Sequence, residues 1–238
     1  MDTSRDIAAD RLLDWMIDTY FRVEVSGWEN IPDQGSGMLV ANHSGAWALD
    51  GFVLHRILER GSARHVQIQA SEIIFRFPVA GAVSRRAGMV GSDPTLGLST
   101  LGSGQLVAVF PEGFSGVGKG FQYRYQLQRF SEGFAMTAMH VAAPVVPVAI
   151  IGAEEALPKV GEVPGLARLL DLPYVPVVPA FPLPSKWLIR FGEPMPAPAR
   201  PDAFAERAEA ARLFRDQVQE TVQAMVDRER RRRVNAFW

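Results

Sequence analysis

Gly37-Met38-Leu39-Val40-Ala41-Asn42-His43 is the stretch that decides the architecture: an uncharged apolar run that ends in two polar residues. A run this short, closed by polar residues, predicts a buried strand rather than a helix. The same arrangement recurs at Leu106-Val107-Ala108-Val109-Phe110, which Pro111 stops just before Glu112. Working outward, further strands are predicted at Phe21–Ser26, His65–Ala70, Val145–Ile151 and Lys186–Phe191. Helices are predicted over Leu49–Leu58, Pro94–Leu101 and Glu132–Val141. Strands alternating with helices predict an α/β fold, a mixed sheet covered by helices on both faces. In such sheets ligands gather at strand ends, and His43 and Glu112 both stand there.

Two outer helices frame this core. Over residues 6–21, Ala9, Leu12, Leu13, Met16, Ile17 and Tyr20 share one face, while Asp10, Asp14 and Asp18 occupy the other. Anionic lipid would repel that acidic face, so the N-terminal helix is expected to pack on the core. Residues 202–233 form the C-terminal helix, with Phe204, Ala208, Ala211, Phe214, Val218, Val222 and Met225 in one stripe. Its closing run, Arg228-Glu229-Arg230-Arg231-Arg232-Arg233, reads as a solvated helix end that suits the helix dipole, or as a contact for anionic headgroups. Residues 158–201 hold 11 of the 17 prolines and are expected to form an irregular insertion. The whole of 1–238 is read as one domain.

Composition removes several function classes. Of 238 residues, 25 are Lys or Arg and 26 are Asp or Glu, a net charge of −1. Bulk nucleic acid as a partner normally demands a strongly basic chain, so that class is disfavoured. Cysteine is absent, which excludes disulfides, a cysteine nucleophile and cysteine-ligated metal. His55, His65 and His140 show no metal-ligand spacing with carboxylates, so no metal is expected. No stretch reaches the roughly 18 apolar residues that a bilayer span needs. The most apolar long segment, Val163–Leu183, carries five prolines and cannot be a spanning helix, though it can rest on a membrane surface. The expected location is cytoplasmic, peripheral on the inner face of the cytoplasmic membrane.

The chemistry concentrates in Asn42-His43-Ser44-Gly45-Ala46-Trp47-Ala48-Leu49-Asp50. An imidazole can take up a proton near neutral pH, and a carboxylate can hold its other ring nitrogen in the required tautomer. Taken alone, His43 and Asp50 are equally a core histidine and a helix-capping aspartate. Phe110-Pro111-Glu112-Gly113 places a carboxylate directly after a strand, between proline and glycine; alone it reads as an ordinary turn. Val146-Pro147-Val148, followed by Gly152-Ala153-Glu154-Glu155-Ala156-Leu157-Pro158, and Arg190-Phe191-Gly192-Glu193-Pro194 each read locally as a strand leaving for a turn.

Together and in this order, these four motifs resemble the glycerolipid acyltransferase family of the lysophosphatidic acid acyltransferase (PlsC-like) type, from about Val40 to Pro194. The resemblance implies transfer of a fatty acyl chain from an acyl-CoA or acyl-carrier-protein thioester to the hydroxyl of a lysophospholipid such as 1-acylglycerol-3-phosphate. No cofactor beyond the thioester is implied. His43 is similar to the family's general base and Asp50 to its orienting carboxylate. Glu112 and Gly113 match the motif that shapes the acceptor site. No Gly-x-Ser-x-Gly elbow exists, in keeping with direct transfer.

This sequence departs from the family pattern in two ways. Six residues separate His43 from Asp50 where four are usual. The arginines that usually hold the acceptor's phosphate are replaced, one within Gly88-Met89-Val90-Gly91-Ser92-Asp93 and one within Phe114-Ser115-Gly116. Arg85, Arg86, Lys119, Arg124 and Arg129 lie close enough in sequence to substitute, the last three among Phe121, Tyr123 and Tyr125. The acceptor is thus lysophosphatidic acid, another lysophospholipid, or a non-phosphorylated alcohol or amine. A catalytically weak lipid-binding relative is the reading from outside the enzymes.

Overall fold

The computed structural model describes residues 10–75, 78–86, 88–169 and 174–237. Its main sheet has the strands β1 (Glu24–Ser26), β2 (Gly37–Ala41), β3 (Val66–Ala70), β4 (Val90–Gly91), β5 (Leu106–Val109), β6 (Val145–Ile151) and β9 (Leu188–Phe191). They lie in the order β1-β9-β6-β2-β5-β3-β4. β2 runs parallel to both β5 and β6, and the antiparallel pairing of β6 with β9 makes the sheet mixed. The predicted strands are all present, with ends shifted by a few residues.

Both faces of the sheet are covered, because alternate residues of the central strands point to opposite sides. Leu39 and Ala41 of β2 join one apolar cluster with Met16, Ile17 and helix α2 (Leu49–Gly61). Met38 and Val40 join the other, with α7 (Gly133–Val141) and α10 (Phe204–Arg232). Between the strands lie α3 (Glu72–Phe75), α4 (Pro78–Arg86), α5 (Pro94–Gly102), α6 (Phe114–Val117) and α8 (Ala153–Ala156). Asp93 caps α5 by accepting a hydrogen bond from Thr95 N at 2.8 Å.

Two expectations are revised. The N-terminal helix, α1, covers residues 10–15 and continues as a π-turn over Met16–Tyr20; residues 6–9 of the expected element, Ala9 among them, lie outside the described residues. Its apolar face packs on the core through Met16 and Ile17, with Leu13 and Tyr20 against them, whereas Leu12 faces solvent. Its acids serve as ion-pair partners. Arg56 of α2 donates to both oxygens of Asp14 at 2.8 Å, and Arg60 pairs with Asp18 at 3.0 Å. The bidentate Arg56 contact holds the Asp14 carboxyl below its ordinary range. The second revision concerns residues 158–201, which are more regular than their prolines predict. Besides the predicted strand β9, they contain a hairpin of β7 (Gly161–Glu162) and β8 (Pro176–Val177) and the helix α9 (Pro164–Leu169). Residues 170–173 of the expected surface segment lie outside the described residues.

Candidate active site

β2 and β5 are neighbours in the sheet, so their C-terminal ends deliver His43 and Glu112 to the same place. Asn42 extends the ladder one residue past β2. Its side-chain amide donates to Ile150 O at 2.9 Å, and its oxygen accepts from Ile150 N at 2.7 Å. This pair of bonds fixes the backbone immediately before His43.

His43 Nδ1 lies 2.9 Å from Asp50 Oδ2. Asp50 is wholly buried in the first turn of α2 and also accepts from Ser44 N at 2.7 Å and from Gly51 N at 2.9 Å. A carboxylate engaged by two backbone donors acts as an acceptor toward the ring as well. That places the hydrogen on Nδ1 and leaves the lone pair on Nε2. Phe110 packs against the imidazole with ring centroids 4.6 Å apart.

The two extra residues between His43 and Asp50 are taken up in the turn Ala46–Ala48, where Trp47 (φ 65°) and Ala48 (φ 54°) adopt left-handed backbone. Such backbone costs roughly 1–2 kcal/mol per non-glycine residue. The distortion returns Asp50 to the histidine despite the longer spacing, and it leaves the Trp47 side chain 58% exposed beside the site.

Glu112 is buried and binds backbone rather than solvent. Oε1 accepts from His43 N at 2.8 Å and Oε2 from Gln128 N at 2.6 Å. Burial pushes its carboxyl above the ordinary range, against Lys119 and these two backbone bonds. Gly113 follows with φ 54° and ψ −139°, a region that favours glycine. Gly116 of α6 backs onto the histidine: a Cβ there would lie 2.7 Å from His43 O.

Of the cations proposed from sequence, only Lys119 joins this cluster. Its ammonium is buried 2.7 Å from Glu154 Oε1 and 3.8 Å from Glu112 Oε2. Arg124 is exposed, 4.6 Å over the Phe121 ring. Arg129 is exposed and pairs with Glu132 at 3.6 Å. At the end of α4, Arg85 stacks over Phe75 at 5.9 Å and Arg86 lies 3.7 Å from Asp10; neither partner belongs to the His43 cluster. A groove of about 670 Å³ opens beside α6, lined by Phe114, Tyr123, Gln128 and Tyr174. Burial, then the charges of Glu162 and Asp50, push the Tyr174 phenol up.

The local sequence pattern did not reveal Glu154 and Glu155. Adjacent acids directly after a buried strand read as a turn, yet both are buried in α8. Burial raises the Glu154 carboxyl, and Lys119 opposes it. Two acids following β6 at the same end of the sheet as His43 were the available signal.

Comparison with known proteins shows the family and the fold. Residues 22–151 match the Acyltransferase family. An uncharacterized protein of Mycobacterium tuberculosis is 41% identical over 239 residues, covering 95% of this chain and 67% of its own length. One from Mycobacterium leprae is 40% identical, over 92% of this chain and 63% of its own. A chicken (Gallus gallus) protein described as a DGAT1/2-independent enzyme synthesizing storage lipids is 25% identical over 73% of this chain and 52% of its own. Among solved structures, the 1-acyl-sn-glycerophosphate acyltransferase PlsC of Thermotoga maritima superposes with a TM-score of 0.60 at 21% identity, covering 97% of this chain and 85% of its own. This chain belongs to the acyltransferase family and is an acyltransferase on the PlsC fold.

Proposed function

We propose that the protein transfers a fatty acyl chain from an acyl-CoA or acyl-carrier-protein thioester to the hydroxyl of a lysophospholipid such as 1-acylglycerol-3-phosphate. The contact between His43 and Asp50 at 2.9 Å carries this reading. His43 Nε2 takes the hydroxyl proton as the acceptor oxygen attacks the thioester carbonyl carbon. The carbon–sulfur bond then breaks, and the leaving thiolate receives the proton from His43. Asp50 holds the tautomer and stabilises the imidazolium. Glu112 holds the His43 backbone, and Gly113 shapes the turn beside it.

The disposition of cations favours a second reading, a non-phosphorylated alcohol or amine acceptor. Lys119 is neutralised by Glu154 and Glu112, and Lys159 pairs with Glu162 and donates to the Gly118 carbonyl. The groove they flank is walled by Phe114, Tyr123 and Tyr174, which suits an apolar or neutral group. Peripheral membrane contact is assigned to the exposed Leu12, Trp15 and Phe181. Tyr20 stacks on Trp15 at 5.5 Å and meets Phe181 edge-on at 5.7 Å. Among the described residues no helix is long and apolar enough to cross a membrane.

The test is thiol release from palmitoyl-CoA, repeated with acyl-carrier-protein thioester, by wild type and His43→Ala. Lysophosphatidic acid, a neutral lysolipid and a mixed alcohol and amine pool serve as acceptors. Release that needs both His43 and lysophosphatidic acid supports the first reading, and release only with a neutral acceptor supports the second. A folded His43→Ala protein with wild-type activity refutes both.

A further inference from the structure

One buried ionic cluster has no part in the chemistry above. Arg233, just past the end of α10, is almost completely buried. It donates to Glu155 Oε1 at 2.5 Å, to the Tyr125 hydroxyl at 3.2 Å and to Lys186 O at 2.8 Å. The Tyr125 hydroxyl donates to Glu155 Oε2 at 2.7 Å and accepts from Gly152 N at 3.1 Å. Arg230 lies 5.6 Å from the face of the same ring. An arginine run that reads in sequence as solvated therefore turns part of itself inward.

Tyr125 opens the segment that supports the active site. Its backbone is left-handed (φ 66°), and its N–H donates to Glu154 Oε2 at 2.5 Å. Glu154 holds Lys119, Lys119 faces Glu112, and Glu112 holds the His43 backbone. Three residues further on, Gln128 N caps the same Glu112. α10 supplies the rest of the support from one face, at four-residue spacing. Gln223 donates to Tyr125 O and accepts from Leu127 N, both at 2.9 Å; Gln219 accepts from Phe130 N and Arg215 donates to Phe130 O, again both at 2.9 Å.

We propose that Arg233 is a positioning residue for acyl transfer: by clamping Tyr125 and Glu155 it sets the 125–128 segment and the Glu154, Lys119 and Glu112 chain that holds His43 in register. The inference rests on His43 as the base. Neither Arg233 nor Tyr125 lines the groove beside α6, so Arg233 acts on turnover rather than on binding. A displacement of about 1 Å at the reacting groups lowers turnover by about 10²-fold.

The test is steady-state kinetics with palmitoyl-CoA and lysophosphatidic acid, or with the neutral acceptor if that one proves active. Each variant is first shown to be folded by circular dichroism and its Tm. Arg233→Gln is expected to lower kcat by about 10–100-fold with both KM values within about twofold of wild type. Arg233→Lys keeps the charge but not the fork that spans three acceptors, and recovers only part of the loss. Tyr125→Phe removes one hydroxyl and keeps the ring, so it decides the matter if Arg233→Gln fails to fold; it is expected to lower kcat by about fivefold or more. Arg228→Gln, an exposed arginine of α10, is the unaffected control. Folded Arg233→Gln or Tyr125→Phe protein with kcat within about twofold of wild type, or a loss confined to KM, overturns the inference. His43→Ala in the same series separates the two claims. If it stays active, the base assignment falls; if it is dead while the Arg233 and Tyr125 variants keep turnover, only the positioning inference falls.

Discussion

Replacing Asp50 by asparagine separates two ways in which a buried carboxylate can serve a histidine. Oδ2 accepts from both His43 Nδ1 and Ser44 N, whereas Oδ1 accepts from Gly51 N alone. An asparagine with its oxygen at the Oδ2 position keeps two bonds and sets its amide against one N–H donor. The flipped amide keeps one bond and faces two donors. A buried donor left without an acceptor costs about 1–3 kcal/mol, so the first orientation is favoured by about that amount, and it preserves the Nδ1–H tautomer. What Asp50→Asn removes is then the negative charge beside the imidazolium that forms in the proposed transfer. Two unit charges about 4 Å apart at an effective dielectric of about 20 interact by about 4 kcal/mol, and the amide dipole retains part of this. The expected loss in kcat is about 10²–10³-fold, smaller than the roughly 10⁴-fold loss that accompanies an inverted tautomer. The assay is thiol release at saturating acceptor, with nitrogen-15 NMR of the imidazole to report the tautomer. A kcat within about threefold of wild type removes Asp50 from the mechanism, and a loss of about 10⁴-fold with the hydrogen on Nε2 refutes the orientation argument.

Two further outcomes follow from the surroundings of the site. Glu112→Gln leaves one of the His43 and Gln128 N–H groups facing a donor and forfeits a charge-assisted bond of about 1.5–3 kcal/mol, so Tm should fall by about 3–12 °C; an unchanged Tm with unchanged kcat means that Glu112 holds neither group. His55 is half-buried on α2, and burial lowers its imidazole below the ordinary value of 6.5. The folded state therefore binds fewer protons than the unfolded chain, so this contribution is present above pH 6.5 and is lost as the pH falls through the folded value. Urea midpoints across that range should decline less for His55→Gln than for wild type, and parallel profiles refute the assignment.

The central strands were legible because β2, β5 and β6 are apolar on both sides and closed by polar or turn-forming residues. That pattern is a local consequence of burial on two faces. His43 and Glu112 were legible for the same reason, as polar residues where apolar strands stop, whereas Asp50, in the first turn of α2, was picked out by the family resemblance. The inward turn of Lys119 was not, because its partners Glu112 and Glu154 come from two other segments. Gln219 and Gln223 sit on the polar side of the α10 stripe and read as solvated, yet they hydrogen-bond a loop about 90 residues earlier. Leu12 shows the converse error: it keeps helical spacing with Met16, but the core that buries Met16 ends before it.

The ladder along α10 also sets an order of assembly. The pairs between Gln223 and Leu127, and between Arg233 and Tyr125, span 96 and 108 residues. Contacts that close loops of this length are entropically late. A nascent chain emerging from the ribosome can pair β2 with β5 and β6 long before it can order residues 125–130. Its histidine and aspartate are synthesised early, but their support arrives only when residue 233 has been translated. A chain that stops short of residue 233 therefore folds its sheet without the contacts that order residues 125–130.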